Sequence, residues 1–583
     1  MKLSRALLVL IGLAVISTPL GIWWGHSGTP DTSPHGAGEY MVSSAHPEAS
    51  KAGQEMLARG GSAVDAAIAV QLVLTLVEPQ SSGIGGGAYM LHWDERARLL
   101  EAYDGRETAP TGATPRLFLD EAGQPLSFFD AVVTGQSNGV PGAIAMLHLA
   151  HREHGKLPWA DLFQPAIRLA EEGFLVTPRL NKLIAWSPAL PRLPWSRAYF
   201  FTEDENGNAV PLTVGTRLKN PAYAKSLRLI AEQGPDVFYK GEIAEAIVAV
   251  SQNAPIRPGT LSMADMAAYE PVKRDPICLA YRTYNVCGMP PSTSGGLTSL
   301  QTLGILESFD MGALKPGSLE AVHLITEASR LAYADRDLYI GDTDFVDVPV
   351  EAMLDEDYLA SRARLIDLSS SIGRAEAGVP EAAGDLGSLY APNESRSRPS
   401  TSHFSIVDAQ GNVVSMTTSI EAPFGSHLMV GGFFLNNQLT DFSFRPVIDG
   451  KPVANAVAPG KRPRSSMTPS MVFDAQGDFY LAIGSPGGSR IIAFVTQTLV
   501  ALLDHHMPMQ EAINQPRHVN RNGPLEIEES TTIADLKEEL EQLGHEVVVK
   551  EITSGLHGIR RLEGGLEGGA DTRREGIVLS GRL

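Results

Sequence analysis

Two predicted β-hairpins in the C-terminal part of the chain constrain its fold more than any other feature. In each hairpin, runs rich in β-branched and aromatic residues flank an Ala-Gln-Gly turn, at 404–417 and at 471–483. Such runs on either side of a glycine-containing turn predict antiparallel strands. Helices are predicted to follow at 490–503 and 535–543. Hairpins followed by helices predict an α+β fold, in which helices cover the faces of an antiparallel sheet.

Further elements are predicted upstream of the hairpins. The stretch 63–77 is apolar nearly all round its helix, so it is predicted to be buried, and it is too short to span a membrane. The glycine-rich run 81–87 lacks a following Lys-Ser/Thr, so it is interpreted as a tight backbone turn rather than a phosphate loop. Between about 115 and 385 the chain is helix-rich. The composition of 369–400 predicts a long exposed loop.

The N-terminal segment predicts export. A basic N-terminus precedes nineteen mostly apolar residues at 6–24, enough for a helix of about 28 Å. No Lys or Arg follows until position 51, so the positive-inside rule predicts that the body lies on the periplasmic or extracellular side. Residues 1–24 would be a signal peptide or a membrane anchor, and both alternatives stay open. Residues 25–40 are a predicted linker.

Composition excludes several classes of site. With 47 Lys and Arg against 67 Asp and Glu, the net charge of −20 disfavours a nucleic-acid partner. Cys278 and Cys287 are too few for a cysteine-based zinc or iron–sulfur site. Free thiols are the favoured interpretation and a local disulfide is the alternative. Four histidines that lie close together in pairs are interpreted as solvated, and no metal or other cofactor is predicted: His151, His154, His505 and His506.

Thr401 begins a predicted strand directly after the exposed loop. If the chain were cut before it, Thr401 would carry a hydroxyl and a free α-amine, whose pKa of about 8 lets it act as a base. Two other local patterns suit reaction chemistry. Backbone N–H groups of the turn 484–490 could face an oxyanion, and the basic Ser-Ser segment 461–467 suits a carboxylate. Taken alone, each pattern more often belongs to an ordinary strand, turn or loop.

Taken together, these patterns resemble the γ-glutamyltransferase (γ-glutamyltranspeptidase) family. The resemblance runs in the family's order from about residue 40 to the C-terminus. The motifs that carry it lie at 83–87, 104–110, 291–296, 401–405, 436–438, 441–442, 462–467 and 484–490. Several motifs of this length in one register make the resemblance specific.

The resemblance implies an N-terminal-nucleophile hydrolase, a four-layer αββα sandwich formed by two autoproteolytic fragments. The precursor would be cut between Ser400 and Thr401. The large-subunit region 41–400 and the small-subunit region 401–583 would stay together as a heterodimer.

The resemblance also implies a reaction. The hydroxyl of Thr401 would attack the γ-glutamyl amide of glutathione or a related compound, while the N–H groups of Gly487 and Gly488 bind the oxyanion. The γ-glutamyl ester would then pass to water or to an amino acid or peptide acceptor.

The donor is zwitterionic at its α-carbon, so its pocket needs both signs of charge. By resemblance, Arg106 would bind the α-carboxylate, with the hydroxyls of Ser465 and Ser466 beside it. The α-ammonium would be received by Glu421, Gln438 and Asp441. Ser419 stands at a position that is often Thr, and its hydroxyl would support the nucleophile.

Two rival functions stay open. An acylase of the same fold would act on glutaryl side chains of β-lactam precursors, which lack the α-amine; the acidic pair Glu421 and Asp441 disfavours it. A non-catalytic exported binding protein is disfavoured by the presence of Thr401 and the glycines. The segment 443–453 has eleven residues without Tyr or Trp. In lidded family members this segment is a longer loop with an aromatic residue that closes over the bound glutamyl group. Here the lid is therefore predicted to be absent or vestigial, which leaves the donor site open to solvent.

Overall fold

The computed structural model describes residues 39–393 and 400–583, and two large antiparallel β-sheets lie at its centre. Their strands, numbered in chain order, are β1 Glu39–Ser44, β2 Gly87–Asp94, β3 Leu99–Gly105, β4 Val272–Arg274, β5 Ile277–Tyr281, β6 Tyr284–Gly288, β7 Ser402–Val407, β8 Val413–Ser419, β9 Ser470–Phe473, β10 Phe479–Gly484, β11 His557–Leu562, β12 Gly565–Ala570 and β13 Ile577–Arg582. The first sheet has the order β13-β1-β7-β8-β2-β3-β4, and the second has the order β12-β11-β10-β9-β6-β5.

The longer helices of the described residues are numbered in the same way. They are α1 Pro47–Ala58, α2 Ala63–Val77, α3 Ala143–His154, α4 Gln164–Glu172, α5 Pro178–Trp186, α6 Pro221–Gln233, α7 Glu242–Gln252, α8 Gly295–Leu306, α9 Leu319–Tyr339, α10 Glu356–Ala363 and α11 Ile491–Leu503. Shorter helices are Phe128–Val132, Pro194–Phe200, Asp236–Tyr239, Met263–Ala267, Val350–Met353, Leu386–Leu389, Met509–Asn514 and Lys537–Gln542. Short strands form smaller sheets: Phe174–Leu175 with Arg217–Leu218, Phe201–Glu203 with Ala209–Pro211, Met429–Val430 with Phe433–Phe434, Val447–Ile448 with Lys451–Pro452, and His518–Val519 with Leu525–Glu528 and Val547–Lys550.

Helices cover the outer face of each large sheet. At the start of α2, Ser62 and Asp65 form a reciprocal capping box. Every residue of this helix is buried, which explains its apolar composition on all sides, and it packs on β7 and β8. On the second sheet, α8 and α11 pack in a separate apolar core. Because β7 contacts β10 and β11 across the two sheets, the layers follow the order αββα.

Strands from before and after position 400 alternate within the sheets. In the first sheet, β7 lies between β1 and β8, and β1 pairs at its other edge with β13. In the second sheet, β6 pairs with β9. Neither part of the chain therefore contains a complete sheet.

Several sequence predictions are confirmed. The buried helix at 63–77 is α2, the two hairpins are β7–β8 and β9–β10, and the helix predicted at 490–503 is α11. The stretch predicted as a helix at 535–543 is divided: a 3₁₀ turn at Thr532–Leu536 precedes the helix Lys537–Gln542. The predicted loop 369–400 contains the short helix Leu386–Leu389, so it is not structureless throughout.

The favoured prediction of free thiols is wrong. Cys278 on β5 and Cys287 on β6 form a disulfide. The two residues are direct partners across the antiparallel pair, with their Cα atoms 4.1 Å apart. The register of the β5–β6 hairpin places the two cysteines opposite each other. Their spacing of nine residues in the sequence does not determine that register.

The predicted signal or anchor at 1–24 lies outside the described residues, as does nearly all of the linker predicted at 25–40. Among the helices of residues 39–393 and 400–583, none is long and apolar enough to cross a membrane.

Candidate active site

Thr401 lies at the head of β7 and lines a small cavity. Its Oγ1 lies 3.1 Å from Oγ of Ser419 at the end of β8. The Thr401 N–H donates to the Ser81 carbonyl at 3.1 Å, and Oγ of Ser400 donates to the Gln80 carbonyl at 2.7 Å. The φ of Thr401 is +85°, a conformation that costs energy in a β-branched residue. The Ser400–Thr401 peptide is thus held in a strained conformation by contacts on both sides.

The turn between β10 and α11 brings a backbone donor to the Ser400 carbonyl. The N–H of Gly487 donates to that carbonyl at 3.1 Å. Gly487 has a φ of +141°, and a Cβ there would lie 2.7 Å from the ring of Phe494, so this position requires glycine. Negative charge developing on the Ser400 oxygen would therefore face an N–H donor.

The glycine-rich turn at 83–87 explains how Ser419 is placed. A Cβ at Gly86 would lie 2.1 Å from the Ser419 carbonyl oxygen, and one at Gly85 would lie 2.1 Å from the Phe434 carbonyl oxygen. Only glycine permits this approach. The prediction of a tight backbone turn is confirmed, and its consequence is that the end of β8 lies against this turn.

Carboxylate and amide groups line one side of the cavity. Asn437 donates from Nδ2 to Oε2 of Glu421 at 2.6 Å, and the Glu421 N–H donates to Oγ of Ser419 at 2.9 Å. Gln438 donates from Nε2 to Oδ2 of Asp441 at 3.0 Å. The orientation of both carboxylates is therefore set by hydrogen bonds from neighbouring amides.

Arg106 lies behind this acidic group and is fully buried. Its Nη2 donates to Oδ2 of Asp441 at 2.6 Å and its Nε to the Pro463 carbonyl at 3.1 Å. Burial alone would lower the pKa of Arg106, but the charge of the Asp441 carboxylate opposes it, and the net effect raises that pKa. The guanidinium is therefore charged and reaches the cavity through Asp441. Its predicted contact with a donor carboxylate stays a prediction.

Glu107 is a buried acid beside Arg106. Its carboxylate lies 3.7 Å from Nη1 of Arg106, and neither carboxylate oxygen accepts a hydrogen bond from any described residue. Burial raises its pKa to about 8, with the charge of Arg106 opposing the shift. Burial thus favours the neutral form of Glu107 despite the neighbouring guanidinium.

The serine pair is supported by a buried arginine that sequence reasoning missed. Arg336, near the end of α9, donates from Nη2 to Oγ of Ser466 at 2.9 Å and from Nε to Oγ of Ser294 at 2.8 Å. Ser294 in turn donates from Oγ to the Ser465 carbonyl at 2.6 Å. Positive charge thus lies directly behind both serines. The available signal was a group of charged residues in a helix otherwise rich in alanine and leucine.

Most of the predicted site residues meet at one cavity. Those that line it are Thr401, Ser419, Glu421, Gln438, Asp441, Ser465, Ser466 and Gly488, with Met467 and Ile491. Gly487 contacts Ser400 instead. The cavity is only about 20 Å³ in volume in the uncut chain, which is too small for a glutamyl group.

The αββα layers, with a threonine at the head of a central strand, define an N-terminal-nucleophile hydrolase fold. A family model described as gamma-glutamyltranspeptidase matches residues 49–581. The chain belongs to the γ-glutamyltranspeptidase family, as the sequence resemblance predicts.

Individual relatives cover nearly the whole chain. It is 39% identical over 546 residues to a glutathione hydrolase proenzyme of Escherichia coli (strain K12), covering 91% of this chain and 90% of that protein. It is 36% identical over 568 residues to an acylase ACY 1 proenzyme of Pseudomonas sp. (strain SE83), covering 95% and 96%. A cephalosporin acylase structure from Bacillus halodurans superposes with a TM-score of 0.80 at 27% identity, covering 98% of this chain and 99% of that one.

Proposed function

We propose that this protein is a self-cleaving γ-glutamyltransferase and glutathione hydrolase. Membership of the family and the relatives named glutathione hydrolase proenzyme support this activity. One observation carries the proposal: the Gly487 N–H donates to the carbonyl of Ser400, the residue that directly precedes Thr401 and its hydroxyl. These are an oxyanion donor, an electrophile and a nucleophile.

Self-cleavage comes first. Oγ1 of Thr401 attacks the carbonyl carbon of Ser400, and the oxyanion is held by the Gly487 N–H. The peptide C–N bond then breaks, the nitrogen takes up the hydroxyl proton, and an ester joins Ser400 to the Thr401 side chain. Water hydrolyses this ester, which leaves a carboxylate on Ser400 and a free α-amine on Thr401.

Turnover uses the same atoms. Once Ser400 has left, the free α-amine of Thr401 takes the proton from Oγ1 as the oxygen attacks the γ-carbonyl of the donor. The N–H groups of Gly487 and Gly488 receive the new oxyanion, and Ser419 orients the hydroxyl. The amine leaving group departs with a proton, and water or an acceptor amine resolves the γ-glutamyl ester.

The charges around the cavity favour a donor that carries an α-amine. The carboxylates of Glu421 and Asp441 line the cavity, so the ammonium of a γ-glutamyl donor would lie beside two acidic groups, whereas a glutaryl chain has no ammonium to place there. Relatives named as acylases make the glutaryl donor the second candidate. No comparable observation favours a non-catalytic binding protein.

The donor site is proposed to be open. The segment 443–453 forms a small hairpin, Val447–Ile448 with Lys451–Pro452. Its only aromatic residue, Phe444, stacks on Phe118 with ring centroids 4.5 Å apart. None of these residues lines the cavity. Donors longer than glutathione should therefore be accepted.

The proposal extends to processing and location. Cleavage would give a fragment ending at Ser400 and a fragment of 183 residues, 401–583, that remain associated. Residues 1–24 would direct export to the periplasmic or extracellular side. The Cys278–Cys287 disulfide supports an oxidising compartment.

One experiment tests these points together. Intact mass of purified protein should show two fragments, the smaller beginning at Thr401, and the mass of the larger reports whether residues 1–24 are removed. A γ-glutamyl anilide should be hydrolysed much faster than the matched glutaryl anilide. Thr401→Ala should remain uncut and inactive, whereas Thr401→Ser, which keeps the hydroxyl, should be cut. Cleavage of Thr401→Ala would refute self-cleavage by the Thr401 hydroxyl. Preference for the glutaryl anilide would refute the proposed γ-glutamyl specificity.

A further inference from the structure

A second cluster of reactive side chains lies at the far end of β3, outside the cavity described above. It joins His92 of β2, Glu101 of β3 and His154 at the end of α3, with one ligand atom of each residue within 4.8 Å of the others. The sequence predicts a solvated His154, and that prediction is wrong. The imidazole stacks on His92 with ring centroids 3.9 Å apart, and its side chain is only 16% exposed.

The two imidazoles converge on a single oxygen, Oε2 of Glu101. Nε2 of His154 lies 2.7 Å from it and Nδ1 of His92 lies 3.4 Å from it. Two ligands bound at about 2.0–2.1 Å to a tetrahedral ion are roughly 3.3 Å apart. The 3.4 Å pair matches this spacing, and the 2.7 Å pair would have to open by about 0.6 Å to place both imidazoles and the carboxylate around one ion.

A second carboxylate completes the group from the solvent side. Oε2 of Glu153 lies 3.8 Å from Nε2 of His154 and accepts a hydrogen bond from the Tyr103 hydroxyl at 2.5 Å. The side chain of Glu153 is 34% exposed, so the cluster is open to solutes on this side.

A cation already occupies the position between the carboxylates. Nζ of Lys273 pairs with Glu101 and lies 2.8 Å from Oε2 of Glu153. The Lys273 side chain is 40% exposed and ends a flexible chain. It can therefore leave without disturbing the sheet when another cation enters.

We propose that His92, Glu101 and His154 form a Zn²⁺ site, with Glu153 or water as the fourth ligand and Lys273 as its competitor. Two imidazoles with a carboxylate suit zinc rather than magnesium or calcium, which prefer all-oxygen ligands. The site is separate from the reaction at Thr401.

A second group of similar composition, His323, Glu327 and His545, is not proposed. His323 uses Nδ1 on His545 and Nε2 on the Asp367 carbonyl. Glu327 accepts hydrogen bonds from Arg330, Ser371 and the Ile372 N–H. All three residues of this group are buried, so an ion would have to enter through the protein interior, whereas the first group is open to solvent beside Glu153.

Calorimetric titration of the untagged full-length protein with ZnCl₂ tests the proposal. Wild type should bind one Zn²⁺ per chain at this site. His92→Gln and His154→Gln should weaken binding by about tenfold or more, and Lys273→Met should tighten it, because a competing cation is removed. His506→Gln, which removes an exposed imidazole elsewhere, is the control and should bind as wild type does.

Co²⁺ absorption gives an independent readout, since a tetrahedral nitrogen–oxygen site produces visible bands that His154→Gln should abolish. Because His154 is at the surface end of α3, this variant decides the question if His92→Gln fails to fold. Thermal denaturation without metal identifies such a failure. Saturable binding that survives His154→Gln unchanged, or no saturable binding by wild type, would overturn the proposal.

Discussion

Gly487→Ala should disable the oxyanion donor while leaving the nucleophile in place. A Cβ at this position would lie 2.7 Å from the ring of Phe494, which is fully buried in α11. To restore an ordinary contact distance of 3.4 Å between this Cβ and the Phe494 ring, one of them must shift by about 0.7 Å. A shift of that size along the line joining the Gly487 nitrogen and the Ser400 oxygen would lengthen their distance from 3.1 to about 3.8 Å, which breaks the hydrogen bond.

Loss of one such donor typically slows a reaction by about 10²–10³-fold, or roughly 3–4 kcal/mol of transition-state stabilisation. We expect this factor in self-cleavage, followed as disappearance of the uncut chain on a denaturing gel. The same factor should appear in kcat for a γ-glutamyl anilide, normalised to the amount of cut protein, with little change in KM.

Two further variants separate the hydrogen bond from general strain. Gly477→Ala changes a glycine of φ +76° in the distant β9–β10 hairpin, where a Cβ would meet nothing closer than 3.4 Å. It should cost stability without slowing either reaction. Adding Phe494→Leu to Gly487→Ala removes the obstructing ring atoms and should restore part of the rate. If Gly487→Ala cleaves itself and turns over within about threefold of wild type, Gly487 is not the donor.

Three other predictions concern the surrounding side chains. Ser419→Ala should lower kcat about tenfold through loss of the 3.1 Å contact with Thr401, whereas Ser415→Ala on the same strand should not. Asp441→Asn should raise KM for a γ-glutamyl anilide by about 10–100-fold; an equal loss with the glutaryl anilide would argue against ammonium recognition. Burial raises the pKa of Glu107 in the folded protein to about 8, whereas the pKa of an unperturbed Glu is 4.5. The free energy of unfolding should therefore fall by about 1.4 kcal/mol per pH unit across that window. Glu107→Gln should remove this slope in urea denaturation of the uncut Thr401→Ala protein, and an unchanged slope would contradict the argument.

Much of the fold could be predicted because its signals are local. Neighbouring residues alone predict the capped apolar helix α2, the turns of the two hairpins and the tight turn at Gly85 and Gly86. Thr401 and the turn at 484–490 became specific only in combination, because a strand threonine or a glycine-rich turn has many ordinary explanations.

The features that could not be predicted depend on contacts between distant segments. Arg336 reaches Ser466 across 130 positions of sequence, and its helical neighbours give no indication of that partner. From the sequence alone, His154 is interpreted as a surface residue of α3. Only the position of β2 in the fold shows that His92 packs against it. The disulfide depends on the register of β5 and β6, which sequence spacing alone does not determine.

The alternation of strands from before and after position 400 has a thermodynamic consequence. The uncut chain folds as a single molecule, so its equilibrium between folded and unfolded states does not depend on protein concentration. If the chain is cut before Thr401 as proposed, β1 and β7 would belong to different molecules, and recovery from unfolding would become a second-order reaction whose yield falls on dilution. Cleavage at Thr401 would therefore turn a reversible folding equilibrium into a persistent assembly, whose lifetime is set by its rate of unfolding.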